Sequence, residues 1–160
     1  MAEKEKLSIV MFSGDLDRAL AGFILAVTGA SMGMEVTMFF TFWGLNIIKK
    51  NEGGIKSKGL MKKMLNLINR GGSKRLTISK FNMLGMGTWM IKGLMKDVNM
   101  PSIDEFIAMA KDMGVKLLAC STSCGIMGVP EGAFRNEVDG IVGAAYFLGE
   151  ARESKVTLFI

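Results

Sequence analysis

The chain contains no histidine, and only two cysteines and two prolines among 160 residues. Histidine is the usual general base near neutral pH and a common metal ligand. Its absence excludes a Ser-His-Asp or Cys-His catalytic set built within this chain, and with it the familiar Cys/His zinc combinations, so no metal site is expected. Two cysteines are too few for a disulfide scaffold, and Cys120 and Cys124 therefore read as thiols. Also missing is any uncharged apolar run of about eighteen residues or more, the length a membrane span needs. Met83 to Met95 comes nearest, and Lys92 interrupts it. At the start, Glu3, Lys4, Glu5 and Lys6 precede the apolar run Leu7 to Phe12, which stops at Ser13. That is too brief and too acidic for a secretion signal, and the expected compartment is the cytoplasm.

What is present is enough apolar material for a core. The 17.4 kDa chain is 49% hydrophobic with a mean hydropathy of +0.32, which offsets chain entropy where a disordered composition could not. The length suits a single domain, residues 1 to 160. Leu7 to Phe12 reads as a buried strand ended by Ser13-Gly14. Leu16, Ala19, Leu20, Phe23, Ile24 and Val27 follow at helical spacing, with Asp15 and Asp17 in the first turn and the helix fading near Gly29 to Gly33. Val36 to Thr41 reads as a second buried strand, which completes a right-handed βαβ unit with parallel strands. Further on, Ser102 and Glu105 form a capping box that opens a helix with Ile103, Phe106, Ile107, Ala110 and Met113 on its buried stripe and Gly114 at its end. Val115 to Cys120 is the next strand. A last helix is expected to carry Val138, Ile141, Val142, Ala145 and Leu148 on one face, and Val156 to Ile160 closes the chain as a strand.

Between these halves the composition changes. From Asn46 to Asp97 there are twelve basic residues against Glu52 and Asp97, a formal +10, so the remainder of the +5 chain is −5. Gly53-Gly54 and Gly71-Gly72 mark turns, and Met83, Met86, Met90 and Met95 make the stretch methionine-rich. A mobile excursion is expected. Its charge suits an acidic protein, phosphate or a membrane surface, with a solvated face as the plain alternative. Nucleic-acid binding is not expected, because only Phe81 and Trp89 offer stacking surfaces among the basic residues. The methionines suit a pliable lid or partner surface, or ordinary core.

Cys120 ends a parallel strand, where open α/β sheets place their ligands. Ser121, Thr122 and Ser123 open a helix there, so free backbone amides can face the sulfur and stabilise a thiolate without an imidazole. The plain alternative is a small buried hydrophobe. Cys124 lies four residues on; in a helix the two α-carbons are about 6 Å apart, within reach of a disulfide, yet the spacing is equally that of an incidental thiol beside Met127. Ser13-Gly14-Asp15 resembles a binding turn on the same sheet edge as Cys120. Neither Ser13 to Arg18 nor Gly85-Met86-Gly87 fits a phosphate-loop or dinucleotide pattern, and no cofactor is expected. Phe39 and Phe40 read as core, while Phe42 and Trp43 are candidates to line a site.

The segments LSIVMFSG (Leu7 to Gly14), VTMFFTFWGL (Val36 to Leu45), VKLLACSTSCGIMG (Val115 to Gly128) and Val138 to Ile160 resemble the DsrE/DsrF/DsrH sulfur-relay family. FFTFWGL and the Ala119-Cys120-Ser121-Thr122 turn resemble, more narrowly, its DsrE-like branch, whose members go under the names peroxiredoxin family and sulfurtransferase. The resemblance spans most of the chain apart from Asn51 to Lys80. It implies a three-layer α/β/α fold with a mainly parallel sheet of five strands, in a homo-oligomer. It also implies a strand-end cysteine, here Cys120, that accepts sulfane sulfur as a persulfide from a donor protein or small sulfur species and passes it to a partner. Ser121, Thr122 and Ser123 would then hold the thiolate, Phe42 and Trp43 would shield the sulfur, with Met90 a further candidate, and Cys124, which departs from the family pattern, is a candidate resolving thiol. Two other classes remain open at this point: a non-catalytic small-ligand or nucleotide-binding module using the strand-end cleft, and an oligomeric or membrane-surface adaptor acting through the basic insert.

Overall fold

The computed structural model describes residues 4–160 of the chain. Five strands, β1 (Lys6–Met11), β2 (Glu35–Phe40), β3 (Lys116–Cys120), β4 (Gly140–Val142) and β5 (Val156–Phe159), form one sheet in the order β4-β3-β2-β1-β5. Every neighbouring pair is parallel. From β1 to β4 the chain steps across the sheet in one direction, with α1 (Leu16–Ser31), α5 (Ile103–Asp112) and α6 (Ser121–Met127) in the crossovers. It then returns past β1 to β5 by way of α7 (Ala144–Arg152). Right-handed crossovers taken in opposite directions put their helices on opposite faces. The packing follows that rule.

On one face Ile9, Met11, Met38, Phe40, Leu117 and Ala119 meet Phe23 of α1, Phe106 and Ile107 of α5 and Met127 of α6 in the main core. Each large side chain buried there contributes about 1.5–3 kcal/mol. On the other, Val10, Phe39, Leu118 and Cys120 form a smaller cluster with Phe147 of α7, whose ring stacks on Phe39 at 4.8 Å, and with Val142 and Ala151 at its edge. The α/β/α layering is thus present and uneven. No helix among the described residues is long and apolar enough to cross a membrane.

Two sequence expectations are corrected. The helix expected over Val138 to Leu148 is split: Gly140–Val142 pairs with Leu118–Cys120 as an edge strand, and α7 starts only at Ala144 with Gly143 as its N-cap. Glycines at 140 and 143 flank a β-branched pair, Ile141-Val142, a composition that disfavours a helix interior and suits an edge. Ile24 and Met113 are not in the buried stripes; they are 39% and 44% exposed. In α1 the approach to β1 is set by glycine, because a Cβ at Gly22 would lie 2.4 Å from Met11 Sδ and one at Gly29 would lie 2.7 Å from Leu7 Cδ2. That face takes the sheet and turns Ile24 outward. The capping box forms as expected, with Glu105 N–H donating to Ser102 Oγ and Ser102 N–H donating to Glu105 Oε2 at 2.7 Å.

The basic insert carries α2 (Leu45–Ile48), α3 (Leu60–Ile68) and α4 (Met86–Asp97). Asn66 ties α3 to the body by donating to the Met127 carbonyl at 2.9 Å, and Arg135 pairs with Asp104 and Glu137 while donating to Ser73. The plain core reading of the methionines fails for Met83, Met86 and Met90, all more than half exposed, and holds in part for Met95. Leu60, Met61, Leu67 and Ile68 of α3 and Trp89 of α4 likewise face outward.

Candidate functional site

The end of β2 and the end of β3 build the cysteine environment together. Phe40 is in register with Ala119, so the next residue along, Thr41, lies beside Cys120. After Thr41 the chain turns sharply through Phe42–Gly44, with Thr41 N–H donating to the Met11 carbonyl at 3.0 Å and Gly44 N–H to the Phe12 carbonyl at 2.8 Å. A side chain at 44 is impossible, since its Cβ would stand 1.9 Å from Met11 O. Phe42 takes the left-handed region at φ 47, the kind of strained backbone that surrounding structure must hold in place. The FWG turn is therefore a clamp that fixes Thr41.

Cys120 is the last residue of β3 and the N-cap residue of α6, in extended backbone. Its side chain is 5% exposed. Burial resists ionisation, but the amide and hydroxyl of Ser123, the hydroxyl of Thr41 and the amide of Thr122 lie around the sulfur and outweigh it, holding the thiol below its ordinary value. Thr41 Oγ1 and Ser123 Oγ are 2.7 Å apart, so one hydroxyl donates to the other and a single hydroxyl proton is left to face the sulfur. The helix is only seven residues long, and the stabilisation comes from these individual donors more than from a macrodipole.

Cys124 belongs to the opposite sheet face and packs in the main core. Burial pushes its thiol up to about 11, a charge on Cys120 adds to this, and the charge of Lys49 opposes it. Lys49 is itself 1% exposed, and burial draws its ammonium down to about 8. Its Nζ donates to Asn46 Oδ1 at 2.8 Å and to the Asn69 carbonyl at 3.4 Å. Both cysteines are free thiols, in separate hydrophobic clusters.

The other sequence candidates divide. Thr122 and Ser123 are brought to Cys120, whereas Ser121 is exposed and is not among the groups that lower its thiol. Ser13, Gly14 and Trp43 line a separate cavity of about 320 Å³ beyond the end of β1, with Phe12, Asp15, Arg18, Asn46, Asn69, Arg75, Leu76 and Thr77. Phe42 instead lies against Phe12, ring centroids 5.7 Å apart and tilted by 45°. Thr41, Asn46, Lys49 and Asn69 escaped sequence reading. For Thr41 a signal existed, since pairing the two predicted strands in parallel sets it opposite Cys120; for a lysine at the end of a short helix there was none.

Compared with known proteins, residues 3–159 match a model of the DsrE/DsrF/DrsH-like family. The chain is 39% identical over 158 residues to YrkE of Bacillus subtilis (strain 168), covering 99% of this chain and 98% of that one. It is 34% identical over 169 aligned positions to the sulfur carrier protein DsrE2 of Allochromatium vinosum, covering 99% of each. Among solved structures, the ychN protein from E. coli superposes with a TM-score of 0.60 over 98% of this chain and 99% of that one at 9% identity, a likeness of fold alone.

Proposed function

The chain belongs to the DsrE/DsrF/DrsH-like family, and on that premise we propose that it is a sulfur carrier whose Cys120 takes sulfane sulfur as a persulfide and hands it to a partner. The observation that carries this reading is a buried thiol at a strand end, at the first turn of α6 and beside the Thr41–Ser123 hydroxyl pair, in a chain with no imidazole to activate it. Support also comes from the full-length similarity to a protein named as a sulfur carrier.

In loading, the Cys120 thiolate attacks the outer sulfur of a donor persulfide, R–S–SH. The new Cys120 S–S bond forms as the donor S–S bond breaks, and the R–S⁻ thiolate leaves with the electron pair. Delivery is the same displacement run toward an acceptor thiolate, with Cys120 now the leaving group. No net oxidation occurs in either step. Polar groups that hold the Cys120 thiolate lower its cost both as nucleophile and as leaving group, and burial at 5% exposure shields the bound sulfur from stray thiols. The reading includes a cytoplasmic setting, where thiols stay reduced, and an assembly of identical chains. After incubation with a small persulfide donor, the intact mass should show added sulfur that Cys120→Ser abolishes and Cys124→Ser leaves; equal loading of Cys120→Ser would overturn the assignment.

A second reading, compatible with the first, is that the insert rests on an anionic lipid surface. It is favoured by the outward apolar residues of α3 and α4 set among lysines, an arrangement that suits an interface between water and acyl chains. Flotation with vesicles containing phosphatidylglycerol should carry the protein up, and pure phosphatidylcholine vesicles should not. Equal behaviour with both would sink it.

A further inference from the structure

The cavity beyond β1 does not include Cys120. It lies where the sheet order reverses: from β1 the chain proceeds to β2 on one side, while β5 fills the other. Such switch points, at the carboxyl ends of parallel strands, are where open α/β sheets form crevices. What this crevice is lined with gives it a sign. Arg18 and Arg75 border it, and Asp15 is the one opposing carboxylate among the lining residues. Arg18 Nε is a loose 3.8 Å from Asp15, and Arg75 uses one guanidinium nitrogen on the Gly71 carbonyl at 3.0 Å. Both retain donors for something else.

Behind the lining stands a third cation. Asn46 and Asn69 form a reciprocal amide pair, Asn46 Nδ2 donating to Asn69 Oδ1 at 2.6 Å and Asn69 Nδ2 to Asn46 Oδ1 at 3.3 Å. The same Asn46 Oδ1 accepts from Lys49 Nζ. Lys49 is buried, and among the described residues no carboxylate forms an ion pair with it. A buried charge held only by amide dipoles is costly unless a counter-charge stands near. Arg18, Arg75 and the Lys49 behind them, against Asp15, give the cavity and its backing a formal +2.

Two backbone donors at the mouth of the cavity are already used. The Leu16 amide at the start of α1 already donates to the Thr77 carbonyl at 2.8 Å, and the Asp15 amide to Ser13 Oγ at 3.1 Å. The remaining grip is by guanidinium, whose planar donors suit the paired oxygens of a tetrahedral anion. We propose that this cavity binds a small divalent oxyanion of the phosphate or thiosulfate type between Arg18 and Arg75, above the Asn46–Asn69 pair. The site is independent of sulfur loading at Cys120 and stands or falls separately.

The test is isothermal titration of the full chain with sodium thiosulfate and with inorganic phosphate, at fixed ionic strength, against chloride and nitrate. Saturable binding of a divalent oxyanion is expected, with chloride and nitrate at least about tenfold weaker. Preference between the two anions identifies which the site takes. Arg18→Ala and Arg75→Ala, both at exposed side chains, should each weaken binding about tenfold, and Lys63→Ala on α3 should not. Lys49→Gln, which keeps a donor toward Asn46, should weaken binding without abolishing it. Equal response to chloride, or unchanged affinity in the Arg18→Ala/Arg75→Ala double variant, overturns the proposal.

Discussion

Cys120 and Cys124 stand one helical turn apart, are almost equally buried, and are driven in opposite directions. Around Cys120 the buried polar groups are donors fixed by the end of a neighbouring strand and by the first turn of α6, and they hold the thiol below its ordinary value. Around Cys124 the neighbours are core side chains, and the one cation that could help, Lys49, is itself desolvated. Burial by itself therefore says little about a thiol. What separates the two is whether the surrounding groups are hydrogen-bond donors aimed at the sulfur or a charge that must pay its own cost of leaving water.

The largest expected effect concerns that desolvated lysine. Its folded value, about 8, lies below the ordinary 10.5, so between these values the unfolded chain holds a proton that the folded one has released. Unfolding free energy should therefore rise with pH through this window, by up to about 3 kcal/mol for Lys49 alone. Cys124 works against this: its thiol is raised to about 11 from 9.0, so it contributes stability that is lost as the unfolded thiol ionises between those values. Urea titrations at pH 8 and pH 10.5 in a Cys120→Ala/Cys124→Ala background, which removes the contributions of both thiols, read the lysine. The rise should be present there and flat once Lys49→Met is added; a rise of the same size in both would show that Lys49 carries no such cost.

Next in size is the difference in reactivity. At pH 7 a thiol near 11 has about 100-fold less thiolate than one at 9.0, and Cys120 lies below that value. The weaker intrinsic nucleophilicity of a more acidic thiol returns about tenfold of this. Cys120 should then be alkylated by iodoacetamide about ten times faster than Cys124 or more, since exposure is 5% and 7% and does not discriminate. Peptide mapping of a time course measures the ratio. Equal rates would mean that the donor set does not hold an anion.

How much of this contrast the sequence disclosed depended on the range of the interaction. Strands β1, β2 and β3, the capping box at Ser102 and the placing of Cys120 at a strand end rest on patterns within a few residues, and all were readable. The edge strand Gly140–Val142 was not, because its pairing with Leu118–Cys120 overrides a helical spacing that the same residues also satisfy. Ile24 was misplaced because the helix seats on Gly22 and Gly29, which hydrophobic periodicity ignores. Lys49 was counted as one more charge in a basic insert. Only its partners, Asn46 nearby and Asn69 twenty residues on, reveal a buried ammonium.

The smallest effect tests the donor side of the contrast one hydroxyl at a time. Ser123→Ala removes a hydroxyl donor while leaving the Ser123-position amide in place, and Thr41→Val removes the other without changing the shape at a strand end. A hydrogen bond to a charged acceptor contributes about 1.5–3 kcal/mol, of which the remaining amides recover part. Each variant should accordingly move the Cys120 alkylation profile upward by about one pH unit, and slow the reaction at pH 7 threefold to tenfold. The two hydroxyls also bond to each other at 2.7 Å, so the double variant should fall short of the sum of the singles. Cys124 offers the internal control, since neither hydroxyl is among the groups that set its thiol. A profile for Cys120 that stays put in the double variant would leave the two amides as its only support, and the FWG clamp would then have no part in activating the sulfur.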